Sequence, residues 1–397
     1  MPPCARCAVA AEEIMFAKTP VTTDDYQRLA RSRLPGFLAD YVDGGAGAEQ
    51  TLAANTAEWA RLELRQRVLV DVSGVDTTTT LLGESCALPL ALAPIGLAGM
   101  MARRGETQAA RVARAAGVPY TLSTVGICSY DEVIAATGAP CWFQLYMLRD
   151  RALVQTLLER VWASGCRTLL FTVDLPLAGM RHRDTRHGLG LPGARAKWVR
   201  LSQVLSRPGW LLDVALRGKP HAFGNLGPHV PAARDLDTFR AWIDAQFDPA
   251  VTWRDIEWLR GLWRGKLVLK GLLDVSDAQA AVGTGADAIV VSNHGGRQLD
   301  GAASSASKLP AIAQAVDGLA EVLVDGGLRS GMDVYRALAL GARGVLIGRP
   351  WVWALAGGGS AGLTSMLDIW RRELANTMAL TGVTRIADIG AHHLDAA

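Results

Sequence analysis

The chain has no block of basic residues interleaved with aromatics, and 41 Lys and Arg against 38 Asp and Glu leave a formal charge of only +3. Nucleic-acid binding is therefore not expected, because it needs clustered cations and stacking rings. Cysteine is sparse and scattered, at Cys4, Cys7, Cys86, Cys128, Cys141 and Cys166. Cys4 and Cys7 form a lone CxxC with no second pair or histidine nearby, so no metal site is expected. Cys128, Cys141 and Cys166 lie in or beside apolar stretches and read as small core residues. Nothing in this usage implies an oxidising compartment. The first twenty residues do not make a signal peptide, since Glu12 and Glu13 interrupt their only apolar stretch. Ser85 to Ala102 carries no charge and nominally reaches the length of a membrane span. Pro89, Pro94, Gly96 and Gly99 make it a poor helix, so a buried strand and its loop are expected instead. No P-loop lysine pattern occurs. Gly188, Gly190 and Gly193 match GxGxxG but follow Arg186-His187 rather than a strand, which argues against a dinucleotide fold.

What the chain does have is a long alternation. With 397 residues, half of them hydrophobic, it can fill one large α/β barrel or two ordinary domains. From about residue 88, strand-like runs occur at Leu88–Ala93, Pro119–Ser123, Cys141–Leu145, Thr168–Val173, Leu267–Lys270, Ala288–Ser292, Glu321–Val324 and Gly344–Ile347. Helical stretches separate most of them, including Glu106–Ala116, Asp150–Ala163, Ser276–Val282, Leu309–Val316 and Met332–Leu340. Gly117, Gly165, Gly285 and Gly341 follow helix ends, where a left-handed residue is favoured. Eight apolar strands alternating with helices predict a parallel (β/α)8 TIM barrel. Residues 21–87 read as a helical N-terminal cap, including Thr23–Ala30 and Gly36–Tyr41, and residues 1–20 as a flexible tail. A single domain is expected over 21–390, with a long insertion at about 175–262 after the fourth strand. Within it, Ala194 to Lys219 is amphipathic and Trp-bearing, with six basic residues against the single acid Asp213. It reads either as a lid on the barrel mouth or as a patch for an anionic membrane surface.

In such a barrel the chemistry sits at the C-terminal strand ends. The run Ala288 to Val291 ends in Ser292-Asn293-His294-Gly295-Gly296-Arg297, placing an imidazole and a guanidinium on one strand lip. The first can take a proton while the second clamps a carboxylate; a capped strand end with a structural histidine is the alternative. Asp325-Gly326-Gly327-Leu328-Arg329 and Gly348-Arg349 follow the last two strands, where barrels often bind phosphate. Lys270 ends a buried strand and needs an anionic partner to stay charged. Asp174 ends another, where it could orient a protonated His294 or form a rim salt bridge. Arg181 is a candidate second guanidinium, but composition alone favours His182 or Arg183 equally.

Ser292-Asn293-His294-Gly295-Gly296-Arg297-Gln298 resembles the signature of the FMN-dependent α-hydroxy-acid dehydrogenase/oxidase family, over residues 22–385. Supporting stretches are Tyr41-Val42-Asp43-Gly44-Gly45-Ala46, Leu64-Arg65-Gln66-Arg67 and Trp142-Phe143-Gln144-Leu145-Tyr146. Gly218-Lys219-Pro220-His221 and Phe247-Asp248-Pro249, inside the insertion, are most similar to the bacterial respiratory, quinone-linked L-lactate dehydrogenases. The resemblance implies FMN and oxidation of a small L-2-hydroxy acid, lactate first, with mandelate or a longer acid behind it. His294 would be the base and Asp174 its stabiliser, while Arg181 and Arg297 hold the substrate carboxylate and Tyr41 and Tyr146 hydrogen-bond the substrate. Lys270 would face the flavin pyrimidine edge. Pro94, Ile95, Gly96, Ser123, Gln144, Thr172 and Ser292 would contact FMN. Asp325, Gly326, Gly327, Arg329, Gly348 and Arg349 would hold its phosphate end. Gly96 leans toward a dehydrogenase, since oxygen-reactive members often carry Ala there. The resemblance also implies a quinone or other respiratory acceptor, a homo-oligomer, and a cytoplasmic location peripheral to the inner face of the cell membrane. An oxygen-using oxidase, a barrel that has lost catalysis, and a flavin-free phosphate-binding enzyme are the competing readings.

Overall fold

The computed structural model describes residues 19–187, 189, 193–227, 242 and 245–395. Cys4 and Cys7, and Gly188 and Gly190 of the glycine triplet, lie outside the described residues. Three helices open the fold: α1 (Thr23–Arg33), α2 (Gly36–Asp43) and α3 (Gln50–Arg61). Thr22 and Asp25 form a capping box that starts α1, and Pro35 occupies the N-cap of α2. An antiparallel hairpin follows, β1 (Thr79–Leu81) and β2 (Glu84–Cys86), turning through left-handed Leu82 and Gly83. The expected cap was purely helical, so this hairpin is a difference. Its Leu81, Leu82 and Cys86 pack with Ala91, Leu170 and Val268 of the barrel interior, closing that core with side chains that two short strands supply.

The barrel then runs β3 (Leu90–Leu92), α4 (Ala98–Met101), α5 (Gly105–Ala116), β4 (Thr121–Ser123), α6 (Tyr130–Thr137), β5 (Trp142–Leu145), α7 (Arg151–Ala163) and β6 (Thr168–Thr172). The segment after β6 carries α8 (His182–Arg186), α9 (Ala194–Leu205), α10 (Pro208–Trp210) continuing as a π-turn over Leu211–Leu216, and α11 (Trp253–Leu262). The second half is β7 (Lys266–Leu272), α12 (Val275–Gly283), β8 (Ala288–Val291), α13 (Ser305–Ala315), β9 (Glu321–Val324), α14 (Gly331–Ala339), β10 (Gly344–Ile347) and α15 (Arg349–Leu380). The eight strands β3 to β10 are parallel, and a bridge between Leu92 and Tyr120 closes the ring. The fold is the expected (β/α)8 barrel, each strand falling on its apolar run. Almost every strand residue is buried, as helices outside and packed side chains inside require. Gly117, Gly165, Gly285 and Gly341 all take positive φ.

Ser85 to Ala102 forms the end of β2, β3 and α4, and no helix among the described residues is long and apolar enough to cross a membrane. Cys128 and Cys166 are buried and Cys141 nearly so, and burial pushes the thiols up, Cys166 to about 11. The insertion lies against the barrel mouth. Trp210 donates to the Met100 carbonyl at 2.8 Å, and Gln203 accepts from the Phe37 N–H at 2.7 Å. Its outer side leaves Trp198 exposed at 69%, with Leu201, Leu205, Leu212 and Leu216 also open to solvent. Trp198, Leu201 and Leu205 recur at helical spacing on one face of α9.

Candidate active site

A cavity of about 610 Å³ opens at the C-terminal ends of the strands. Lys270 and Asp325 line it, and Ser292 stands behind Lys270. Lys270 reaches Asp325 at 2.9 Å and the Ser292 hydroxyl at 2.9 Å, linking β7, β8 and β9. Burial works to lower the Lys270 pKa, but Asp325 and Asp174 outweigh it and the ammonium is held above its usual range. A register shift between Lys270 and Leu272 marks a bulge at Gly271, whose φ is 114°. A Cβ there would sit 2.6 Å from the Asp174 side chain, so glycine is what lets the carboxylate come close.

Asp174 accepts from His294 Nδ1 at 2.8 Å. Burial alone would raise its carboxyl, yet His294 and Lys270 hold it below the ordinary range, so it is a carboxylate at neutral pH. With Nδ1 engaged, Nε2 is the ring nitrogen left for the cavity. His294 has φ 57°, uncommon outside glycine, and its N–H donates to Ser292 Oγ at 3.0 Å. Asn293 anchors this turn. It exchanges two amide hydrogen bonds of 2.8 Å with Asn55 on α3 and accepts from the Gly296 N–H. Gln298 donates to the Asp174 and Leu177 carbonyls at 2.9 Å, fastening the turn to the loop after β6.

Two guanidiniums meet beside Tyr41 in the same cavity. Arg297 lies 4.9 Å and Arg181 5.8 Å from the centre of the Tyr41 ring. Burial first, then Arg181, pushes the Arg297 pKa down to about 10. Arg297 also donates to the Tyr41 and Gly44 carbonyls, which fixes its fork. The three candidates left open by composition separate here. Arg181 lines the cavity, Arg183 pairs with Glu49, and His182 is exposed. Tyr146, also on the wall, packs on Phe247; burial, Asp174 and Tyr41 push its phenol up, so it stays a donor.

Pro94, Ile95, Gly96 and Thr172 line the cavity, as do Asp325, Gly326, Gly327 and Gly348. Ser123 and Gln144 stand behind the wall in a relay across three strands: Ser123 to Gln144 at 2.9 Å, Gln144 to Thr172 at 3.1 Å. Arg329 and Arg349 also line the cavity, but they are not equivalent. Nε, Nη1 and Nη2 of Arg349 donate to the carbonyls of Val42, Gly295 and Gly44, each at 2.9 Å. It therefore braces the N-terminal cap against the His294 turn. Arg329 stacks on Trp353 at 5.0 Å and spends one nitrogen on the Leu328 carbonyl. Neither arginine has an ion-pair partner among the described residues, and burial pulls both pKa values down. Half-buried cations without an ion-pair partner among the described residues, beside two left-handed glycines, fit a bound phosphate.

The sequence reading named most of these residues and assigned no role to Asn55, Asn293 or Gln298. Asn293 and Gln298 stand inside the recognised motif, but no local pattern marks Asn55.

A cavity that brings together an imidazole paired with a carboxylate, two guanidiniums beside a tyrosine, and two further arginines near left-handed glycines suits a phosphate-bearing cofactor and a small anion, the organisation of a flavin oxidoreductase. Residues 30–396 match the FMN-dependent dehydrogenase family, and the chain belongs to that family. It is 55% identical to an L-lactate dehydrogenase of Caulobacter vibrioides over 368 residues, 93% of this chain and 96% of that one. An L-lactate dehydrogenase of Allorhizobium ampelinum is 51% identical over 93% and 97%. Among solved structures, mandelate oxidase with (S)-4-hydroxymandelic acid is 39% identical, with TM-score 0.81 over 95% of this chain and 98% of that one. The monotopic membrane protein (S)-mandelate dehydrogenase is 33% identical, with TM-score 0.87 over 95% and 100%. FMN is thus the cofactor, and the donor set above fits it.

Proposed function

We propose that this enzyme oxidises an L-2-hydroxy acid, L-lactate first, to the 2-oxo acid and delivers the electrons to a quinone. The observation that carries this reading is the convergence of Arg181 and Arg297 over Tyr41, in the cavity that also holds the His294–Asp174 pair. The guanidiniums grip the substrate carboxylate, which supplies orientation and much of the proximity advantage. Tyr41 and Tyr146 hydrogen-bond the substrate. His294 accepts a proton at Nε2, and Asp174 stabilises the imidazolium that results. When bound, FMN supplies the two-electron acceptor. Lys270 would face the bound flavin and stabilise the negative charge of its reduced form, and Arg329 with the Gly326-Gly327 and Gly348 backbone would hold the phosphate.

The L-lactate dehydrogenase relatives support lactate. An apolar wall that includes Leu175, Ala178, Phe223 and Phe247 favours a bulkier side chain as the second reading. An anaerobic absorbance titration tests both. Bleaching of bound FMN by L-lactate supports the first, and bleaching by mandelate but not lactate moves the assignment to the second. A flavin that stays oxidised with every 2-hydroxy acid overturns the proposal.

A further inference from the structure

Asp184, in α8, is only 3% exposed, and neither carboxylate oxygen has a hydrogen-bond partner among the described residues. One helical turn away, Arg181 Nε stands 3.6 Å from its Oδ2 and also lacks a hydrogen bond. The neighbouring carboxylates have other partners. Arg183 pairs with Glu49, and His187 with Asp40. Asp174 is taken by His294 and Asp325 by Lys270. Asp184 is thus the carboxylate beside Arg181, and its charge also acts on Arg297.

Taken together, Arg181, Arg297 and Asp184 carry one net positive charge. A ligand with a single carboxylate brings the sum to zero, while a dicarboxylate overshoots it. Inside a buried site such an imbalance is costly, because charges interact there far more strongly than in water. We propose that Asp184 sets the charge of the substrate site and thereby selects monocarboxylates over dicarboxylates. This rests on the reading that Arg181 and Arg297 hold the substrate carboxylate. Asp184 does not touch the substrate in this scheme; it acts through the two guanidiniums and through its field. That field acts once on a monoanion and twice on a dianion. Removing it therefore strengthens dianion binding by about the square of the monoanion factor. Lys197 and Arg200, at the outer wall of the cavity, are common to every variant and drop out of the ratio.

The test is calorimetric titration of the FMN-loaded protein at neutral pH with pyruvate, which carries one charge, and oxalate, which carries two. Asp184→Asn is expected to shift the ratio of the two dissociation constants toward oxalate by about tenfold or more. Asp184→Glu, which keeps the charge, is expected to leave the ratio within about threefold of wild type. Asp184→Ser gives the neutral comparison if the amide variant does not fold. Parallel changes in both affinities, with the ratio fixed, would reduce Asp184 to a structural support and overturn the proposal. So would a tenfold shift in the glutamate variant. Failure of the underlying reading looks different: pyruvate affinity would then survive Arg181→Met unchanged.

Discussion

At the residue scale, charge arrangement decides what each group can do. His294 has its Nδ1 bound to a carboxylate that Lys270 and the imidazole itself keep ionised. A base in that setting typically contributes ~10²–10⁴ in rate. His294→Ala is therefore expected to lower turnover by about that factor while leaving FMN bound, since the residues proposed to hold its phosphate follow other strands. A yellow variant with near-normal turnover would remove His294 from the chemistry. The clamp makes a separate prediction with pH. The depressed pKa of Arg297, about 10, means its cation is present below that value and lost as pH rises through it. Substrate affinity should follow the cation. KM for the hydroxy acid is expected to climb above about pH 10, close to tenfold per unit, while kcat at saturation changes less. A KM that stays flat to pH 11 would show that Arg297 keeps its proton across this range.

At the scale of elements, loops after neighbouring strands are fitted to one another, and Gly96 shows how closely. A Cβ at this position, after β3, would lie 2.8 Å from Val125 Cγ2 and 3.5 Å from the Tyr41 hydroxyl. Val125 cannot simply withdraw, because its carbonyl accepts from the Leu97 N–H and its N–H donates to Ser123 Oγ. Gly96→Ala is expected to displace the cavity wall and slow turnover with an artificial acceptor by about tenfold. Adding Val125→Ala removes the opposing methyl and should restore most of the loss. A double variant no faster than Gly96→Ala would place the effect elsewhere.

The same scale explains what was legible in the sequence. Barrel strands are buried on both faces, so each left a continuous apolar run, and their C-terminal ends pointed to Lys270, His294 and Arg329. The β1–β2 hairpin left no such run, because each short strand has two polar residues, Thr79-Thr80 and Glu84-Ser85, before the single side chain that enters the core. The Asn55–Asn293 pair joins residues 238 positions apart, and the sequence carries no sign that two polar amides will be buried against each other. Arg349 was legible as an arginine after a strand but not as a brace, because its partners are backbone carbonyls rather than side chains. Chemistry carried by strand ends could be read; chemistry carried by contacts between distant loops could not.

At the scale of the whole molecule, the insertion connects the site to its surroundings. Its inner side contributes Lys197, Arg200 and Trp210 to the cavity wall, while its outer side exposes Trp198, Leu201 and Leu205 on one helical face. Arg195, Arg217 and Lys219 belong to the same stretch. An apolar face edged by cations suits the interface of an anionic bilayer, where each basic residue adds about 1 kcal/mol and the rings enter the headgroup layer. A lipid-dissolved quinone would then reach the cavity beside the segment that touches the membrane. The protein is expected to float with phosphatidylglycerol vesicles at low salt and to release as ionic strength shortens the reach of its charges. Trp198→Glu with Leu201→Glu should weaken vesicle binding by about tenfold or more, because two apolar contacts are replaced by like charge on an anionic surface. Turnover with a soluble acceptor should be retained, since neither side chain lines the cavity, and turnover with a membrane-dissolved quinone should fall with the binding. Protein that stays wholly in solution with these vesicles at low salt, or a double variant that still floats like wild type, would detach this face from the membrane.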